Sequence, residues 1–214
     1  MTPAAMALLA RDPAMRRVVA EIGPCTLEPR LERSPYESLV RAIAHQQLHG
    51  KAAETILGRF TALYAPARFP KPAQVLATPV EALRGVGFSA AKALAVRDVA
   101  EKTERRVVPT RARIARMTDA EIVERLTQIR GVGVWTVEML LIFQLGREDV
   151  LPVDDFGVRN GYRVARRRKE MPTPKEVLAW GERFRPHRTT CAWYLWRAAD
   201  RENARRKAGR GVRH

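Results

Sequence analysis

The chain has little cysteine: Cys25 and Cys191 are the only two in 214 residues. Two thiols exclude the disulfide framework of a small secreted domain and any zinc or iron–sulfur centre built from a cysteine cluster, and they suit a reducing cytoplasm. None of the four histidines stands at ligand spacing from a cysteine or glutamate, so no zinc site is expected. Long hydrophobic runs are missing as well. No stretch of 18 apolar residues occurs, which leaves no candidate membrane span. The opening MTPAAMALLARDPAMRR has neither the charged start nor the cleavage site of a secretory leader. Segments that alternate strictly between apolar and polar residues, the mark of half-buried strands, are absent, so an all-α fold is expected. Acidic residues are scarce: 23 against 39 lysines and arginines, a net charge of +16. A polyanion, nucleic acid above all, is the partner such a surplus favours; a general halo of surface arginines is the plainer alternative.

What the chain does have is enough apolar residues, 46%, to bury a core, and clear helix starts. Ser34-Pro35-Tyr36-Glu37, Thr78-Pro79-Val80-Glu81, Thr118-Asp119-Ala120-Glu121 and Thr173-Pro174-Lys175-Glu176 each put a hydroxyl at an N-cap with glutamate three positions on. One or two short helices are predicted before residue 34, split at Asp12-Pro13 and Gly23-Pro24. Others run from Ser34 to His45, over Lys51 to Phe60, to about Arg106, from Phe156 to about Lys169 and from Thr189 to Ala199. Residues 64–73 read as a proline-rich loop. The basic tail, 201–214, has few apolar anchors and is predicted to fray.

The most informative stretch is Leu126 to Asp155. Leu126 and Ile129 close one helix; Trp135, Met139, Ile142 and Phe143 recur at helical period and form the next. Between them Gly131-Val132-Gly133 makes a tight turn, giving a helix–hairpin–helix. Such a turn exposes backbone N–H groups beside the positive end of the following helix, where a phosphate fits. Arg84-Gly85-Val86-Gly87 repeats Arg130-Gly131-Val132-Gly133, but no carboxylate pair follows it, so the first copy reads as structural. After the second come Pro152, Asp154 and Asp155, the two carboxylates standing where a third helix should begin.

Gly131, Gly133, Trp135 and Thr136, followed by Pro152, Asp154 and Asp155, together resemble the helix–hairpin–helix DNA glycosylase superfamily, and within it the 3-methyladenine DNA glycosylase II, or AlkA-type, branch. The similarity runs from about Tyr36 to Trp196. The resemblance implies two helical domains, 35–147 with both hairpins and 1–34 plus 148–214 built from the chain ends, with an active-site cleft between them. The amino-terminal β domain of the AlkA enzyme has no counterpart here. The implied activity is base excision repair: hydrolysis of the N-glycosidic bond of alkylated bases, of the 3-methyladenine and 7-methylguanine type, in double-stranded DNA. The implied enzyme is a monomer in the cytoplasm, associated with the nucleoid, and needs no cofactor.

Residue by residue, the family's catalytic aspartate falls on Asp155, which leaves the helix cap to Asp154, since neighbours on a helix start cannot both face one cleft. Trp196 falls where a ring faces the extruded base; Trp135 and Phe156 are further base-pocket candidates, with core packing the alternative for each. Gln47 matches the wedge that fills the vacated stack, Gln46 beside it, with His49 near enough to compete. Gly131, Val132 and Gly133 are expected to meet DNA. Main-chain carbonyls of Thr127, Ile129 and Val132 would hold a structural sodium or potassium ion. In members that also cut the strand a lysine lies two residues past the second hairpin glycine; here that residue is Trp135, so no lyase activity is expected. Two rivals remain: a non-catalytic hairpin module, which needs the glycines but not Asp155, and a glycosylase for another damaged base. Without an iron–sulfur cysteine cluster, the endonuclease III and MutY branches fit poorly.

Overall fold

The computed structural model describes the backbone of residues 2–211 and the side chains of residues 2–208. Among them the fold is all-α, as the missing alternation predicts. In chain order the helices are α1 (Pro3–Leu9), α2 (Pro13–Ile22), α3 (Pro35–His45), α4 (Gly50–Ala62), α5 (Pro72–Ala77), α6 (Val80–Gly85), α7 (Ala90–Glu104), α8 (Arg111–Ile114), α9 (Asp119–Leu126), α10 (Val134–Phe143), α11 (Phe156–Ala165), α12 (Pro174–Gly181) and α13 (Arg188–Gly211), with a 3-10 turn at Glu182–Phe184. No helix of the described residues is long and apolar enough to cross a membrane.

The caps follow local chemistry. Ser34 Oγ accepts from the Glu37 backbone N–H, and Thr118–Glu121 and Thr173–Glu176 form reciprocal capping boxes. Three expectations are corrected. Thr78 does not open a helix: its hydroxyl donates back to Gln74 O at 2.8 Å, and α6 starts at Val80 behind Pro79. The proline-rich stretch gives way to α5 at its last two residues, because Pro72 sits at the first helical position, where its missing N–H is no loss. The basic tail does not fray from 201: it continues α13 to Gly211. Arg201 donates to the Glu21 carbonyl, Arg205 lies 3.8 Å from the Glu21 carboxylate, and Arg206 pairs with Glu202 at 2.9 Å one turn back. Arg213 and its neighbours at 212–214 lie outside the described residues.

The chain divides into two compact units, Arg30–Leu145 and Met1–Pro29 with Gly146–His214. In the first, the hairpin unit, α7 packs on α3, α5 and α6, and α10 packs on α9 and α3. Its core holds Leu39, Ile43, Leu57, Phe60, Val96 and Ile122, all buried, with Phe60 edge-on to Phe69 and Phe88. In the second, the terminal unit, α11 lies against α13 and both meet α2, around Met15, Val158, Tyr162, Trp180, Phe184 and Tyr194. The buried Asp12 caps α2 and accepts from the Trp180 indole at 3.2 Å and Arg183 at 3.3 Å. Much of the terminal unit's arginine is spent internally. Arg159 donates to Pro172 O, Arg163 to Asn160, and Arg168 pairs with Glu176, so the formal charge overstates what faces a partner.

The α11–α13 approach is tightest at Gly161. A Cβ on Gly161 would stand 2.0 Å from the Leu195 carbonyl oxygen, a distance that only backbone movement relieves. Gly161→Ala is therefore expected to cost about 3 kcal/mol of stability, read in denaturant unfolding. A cost under about 0.5 kcal/mol would show that the two helices part freely.

Candidate functional site

The chemistry-bearing residues divide between the two units. In the terminal unit the chain turns at Pro152, whose carbonyl accepts from the Asp155 backbone N–H at 3.1 Å. Asp155 then takes extended angles and caps α11: its Oδ1 accepts from Val158 N–H at 2.8 Å. The division of labour expected from sequence is thus corrected, since Asp155 is itself the N-cap and Asp154 is an exposed turn residue. The turn at Pro152 decides between these equally good capping residues by bringing Asp155, not Asp154, to the position before the first helical residue.

The same Oδ1 accepts from the indole Nε1–H of Trp196 at 2.8 Å. Both side chains are partly buried. Room for the indole comes from Gly157, where a Cβ would lie 2.7 Å from Trp196 Cδ1 and 3.0 Å from Asp155 Oδ1. Asp155 is thus a carboxylate oriented by two N–H donors on two helices. Phe156, beside it at the first position of α11, is 69% exposed, while Trp193 and Tyr194 belong to the core. The indole–carboxylate bond spans 41 positions, and nothing in the local sequence announces it.

In the hairpin unit, Gly131 has φ +75, the left-handed region where a Cβ is strained. Val132 N–H donates to Ile129 O at 3.0 Å and closes the turn. Gly133 has extended angles, a Cβ on it would meet nothing within 4 Å, and it starts α10 without a side-chain cap. The first hairpin is not a conformational copy. There the left-handed glycine is the second of the pair, Gly87 with φ +112, and Ser89 Oγ caps α7 on Lys92 N–H. Trp135, in the first turn of α10, is 46% exposed.

The loop after α3 carries the stack-filling candidates. Gln46 donates from Nε2 to the Gly131 carbonyl at 2.9 Å, which ties this loop to the hairpin. Gln47 is exposed with φ +55, and His49, also exposed, precedes α4 without a side-chain cap bond. A hollow of about 800 Å³ is lined by Arg41, His45, Gln46, Gln47, Trp135 and Met139 among others. Burial pushes the Cys191 thiol well above its ordinary value, which removes it as a thiolate nucleophile. Among the described residues no three His, Cys, Asp or Glu side chains gather as a metal site. Thr127, the C-cap of α9, turns its hydroxyl hydrogen back to Val123 O at 2.8 Å.

The model of a family described as HhH-GPD superfamily base excision DNA repair protein matches residues 40–186. The chain is 42% identical over 200 residues to a Schizosaccharomyces pombe protein named DNA-3-methyladenine glycosylase 1, covering 93% of this chain and 88% of that one. Its structure is similar to that of the S. pombe 3-methyladenine DNA glycosylase Mag1 in complex with abasic DNA, with TM-score 0.80, 43% identity, and 91% and 95% of the two chains covered. It is also similar to a DNA-3-methyladenine glycosidase from Bacillus halodurans, with TM-score 0.82, 33% identity, and 92% and 89% covered.

The geometry at Asp155 separates two of its own variants. Asp155→Asn keeps an acceptor for Val158 N–H and is expected to unfold within about 0.5 kcal/mol of the parent, whereas Asp155→Ala loses the cap and strands the indole N–H, for about 1–2 kcal/mol. Equal stabilities for the two variants in urea unfolding would contradict the cap.

Proposed function

This chain belongs to the HhH-GPD superfamily of base excision DNA repair proteins, and from that premise we propose that it is a monofunctional DNA glycosylase for alkylated bases, acting as a monomer. The observation that carries the reading is the Asp155 carboxylate, fixed by Val158 N–H and the Trp196 indole at the start of α11.

Breaking the N-glycosidic bond sends its electron pair to the departing base and leaves the sugar C1′ oxocarbenium-like. A carboxylate that does not have to reorient stabilises this charge as it forms. A purine alkylated at N3 or N7 is already cationic, so it departs neutral and needs no general acid. Water then adds to C1′ and gives up a proton, leaving an abasic site. Before any of this the base must leave the stack. Phe156 and Trp196, beside Asp155, are the rings we propose to meet it, a cationic base over an indole gaining ~0.5–2 kcal/mol; Trp135, in the hairpin unit, is a separate candidate. Gln47, or His49 two residues on, fills the gap.

We place a DNA phosphate at Gly131-Val132-Gly133. Gly133 has no reason in its own unit to lack a side chain: its angles suit any residue and a Cβ would touch nothing. An external group approaching the uncapped start of α10 supplies the reason. The carbonyls of Thr127, Ile129 and Val132 are the hard oxygen donors a sodium or potassium ion takes; the Ile129 carbonyl, already accepting from Val132 N–H, keeps its second lone pair for that purpose.

Two measurements test the reading. Duplexes carrying single defined lesions are incubated with parent and Asp155→Asn protein, and base release is followed. The parent is expected to release alkylpurines; the variant should be slower by about 100-fold or more and still bind duplex. Release of 3-methyladenine at the parent rate by Asp155→Asn would remove Asp155 from the chemistry. Salt-sensitive duplex binding by a parent that releases no base would point to the non-catalytic module.

The enzyme should also stop at the abasic site. Strand cutting in the superfamily uses a lysine amine that attacks C1′ and forms a Schiff base, allowing β-elimination. An indole at position 135 has no such lone pair to offer. The product strand should break only on treatment with alkali, and borohydride should trap no protein–DNA adduct. A trapped adduct would show that another amine reaches the sugar.

A further inference from the structure

The helix that leaves the first hairpin turns a stripe of side chains toward the second. Lys92, Ala95 and Asp98 of α7 are spaced three apart, so they stand one above another on the helix. Lys92 Nζ donates to the carbonyls of Ala44 at 2.8 Å and Gln46 at 2.6 Å. Ala95 Cβ would stand 3.3 Å from a Cβ on Gly131. Asp98 Oδ2 accepts from the Arg130 backbone N–H at 2.7 Å. Gln46 in turn reaches the Gly131 carbonyl. One face of α7 therefore holds the loop after α3 and the second hairpin, and the two are bonded to each other.

Lys92 acts where α3 leaves carbonyls unsatisfied and its dipole is negative. An ammonium there supplies two donors and an opposing charge together. It is also where the chain turns sharply: Gln46 leaves the helix with φ −54 and ψ 129, and Gln47 adopts φ +55. A residue with a Cβ holds left-handed angles only where its surroundings impose them. We propose that Lys92 is the positioning residue of the stack-filling loop: its grip on Ala44 O and Gln46 O holds Gln47 in its left-handed, exposed conformation before DNA arrives. Holding it in advance removes an ordering cost that would otherwise fall on each flipping event. The proposal rests on Gln47 being the residue that fills the gap.

Lys92→Met keeps the aliphatic stem and removes charge and donors; Lys92→Gln is a second uncharged variant should Met unsettle the fold; Lys92→Arg keeps both. The first measurement needs no substrate. Amide hydrogen exchange over residues 46–49 of the free protein should quicken about tenfold in the uncharged variants and stay near the parent in Lys92→Arg. Exchange at Val137 and Leu140 in α10 should not move, which excludes general loosening. Unchanged exchange over 46–49 overturns the proposal.

The second measurement is single-turnover excision of one lesion from a paired and from an unpaired site. Lys92→Met should slow the paired reaction about tenfold and the unpaired one by less than about twofold, because flipping is costly only in the paired duplex. Lys92→Met combined with Gln47→Ala should be no slower than Gln47→Ala alone. Equal losses on both substrates, or additive losses in the double variant, overturn the proposal. If Gln47→Ala by itself loses equally on both substrates, the gap-filling role of Gln47 falls, and hydrogen exchange alone decides whether Lys92 positions the loop.

Discussion

The close approach of α11 to α13 is the constraint on which the Asp155–Trp196 pair depends. Gly157 and Gly161 lie one turn apart on the face of α11 that meets α13. At Gly161 the backbones come so near that the Leu195 carbonyl fills the space of a side chain. Trp196, the next residue along, is thereby carried within 2.8 Å of Asp155 Oδ1, and Gly157 leaves the hollow its ring occupies. Larger residues at these two positions would spread the helices, and the indole N–H would lose its acceptor. Glycine costs helix propensity, roughly 1 kcal/mol at an interior position, and two of them in a ten-residue helix make sense only where close packing returns more than that.

The two hairpins show how one tripeptide serves different ends. Gly-Val-Gly follows arginine in both, yet the left-handed glycine is the second in one and the first in the other. The difference lies in what receives the next helix. Ser89 supplies an oxygen to Lys92 N–H at the start of α7, so the helix after the first hairpin is capped by its own chain. The second gives the start of α10 no side-chain oxygen, and a site that a protein leaves uncapped is suited to an oxygen brought by a ligand. The first hairpin then contributes through α7, whose Lys92 and Asp98 bond to backbone on either side of the Gln46–Gly131 contact.

What could be read from sequence was what is decided locally. The capping boxes at Thr118 and Thr173 need only residues three apart, and both form. The lack of alternating segments led to an all-α fold because strand burial has a period that the chain never shows. The hairpin and its glycines followed from spacing in the same way, whereas spacing left Trp135 open between core and pocket, and it is 46% exposed. The failures share a cause. Thr78 had two helices within reach and served the one behind it. Asp154 and Asp155 are equal as caps, and only the Pro152 turn and an indole 41 positions away distinguish them. Arg201 and Arg205 anchor the last helix on Glu21, about 180 positions upstream, which no window of neighbouring residues contains. Asp12 looked like the break before a proline and is a buried anchor for Trp180 and Arg183.

Asp155 also shows that a capping carboxylate keeps acceptor capacity for a second task. Assigning one task to each of two adjacent aspartates assumes that a carboxylate can do only one thing. A carboxylate has two oxygens and about four acceptor positions, and here a single oxygen takes both the Val158 and the Trp196 N–H. Those bonds fix the plane of the group from two helices. For a cation that exists only near the transition state, that is the useful property. Stabilisation raises the rate only to the extent that it is greater in the transition state than in the ground state, and a charge already in its final orientation spends nothing on turning toward the sugar as the bond breaks. The cap is therefore part of what would make Asp155 effective: the helix it starts is the rigid body that keeps its field pointed in one direction.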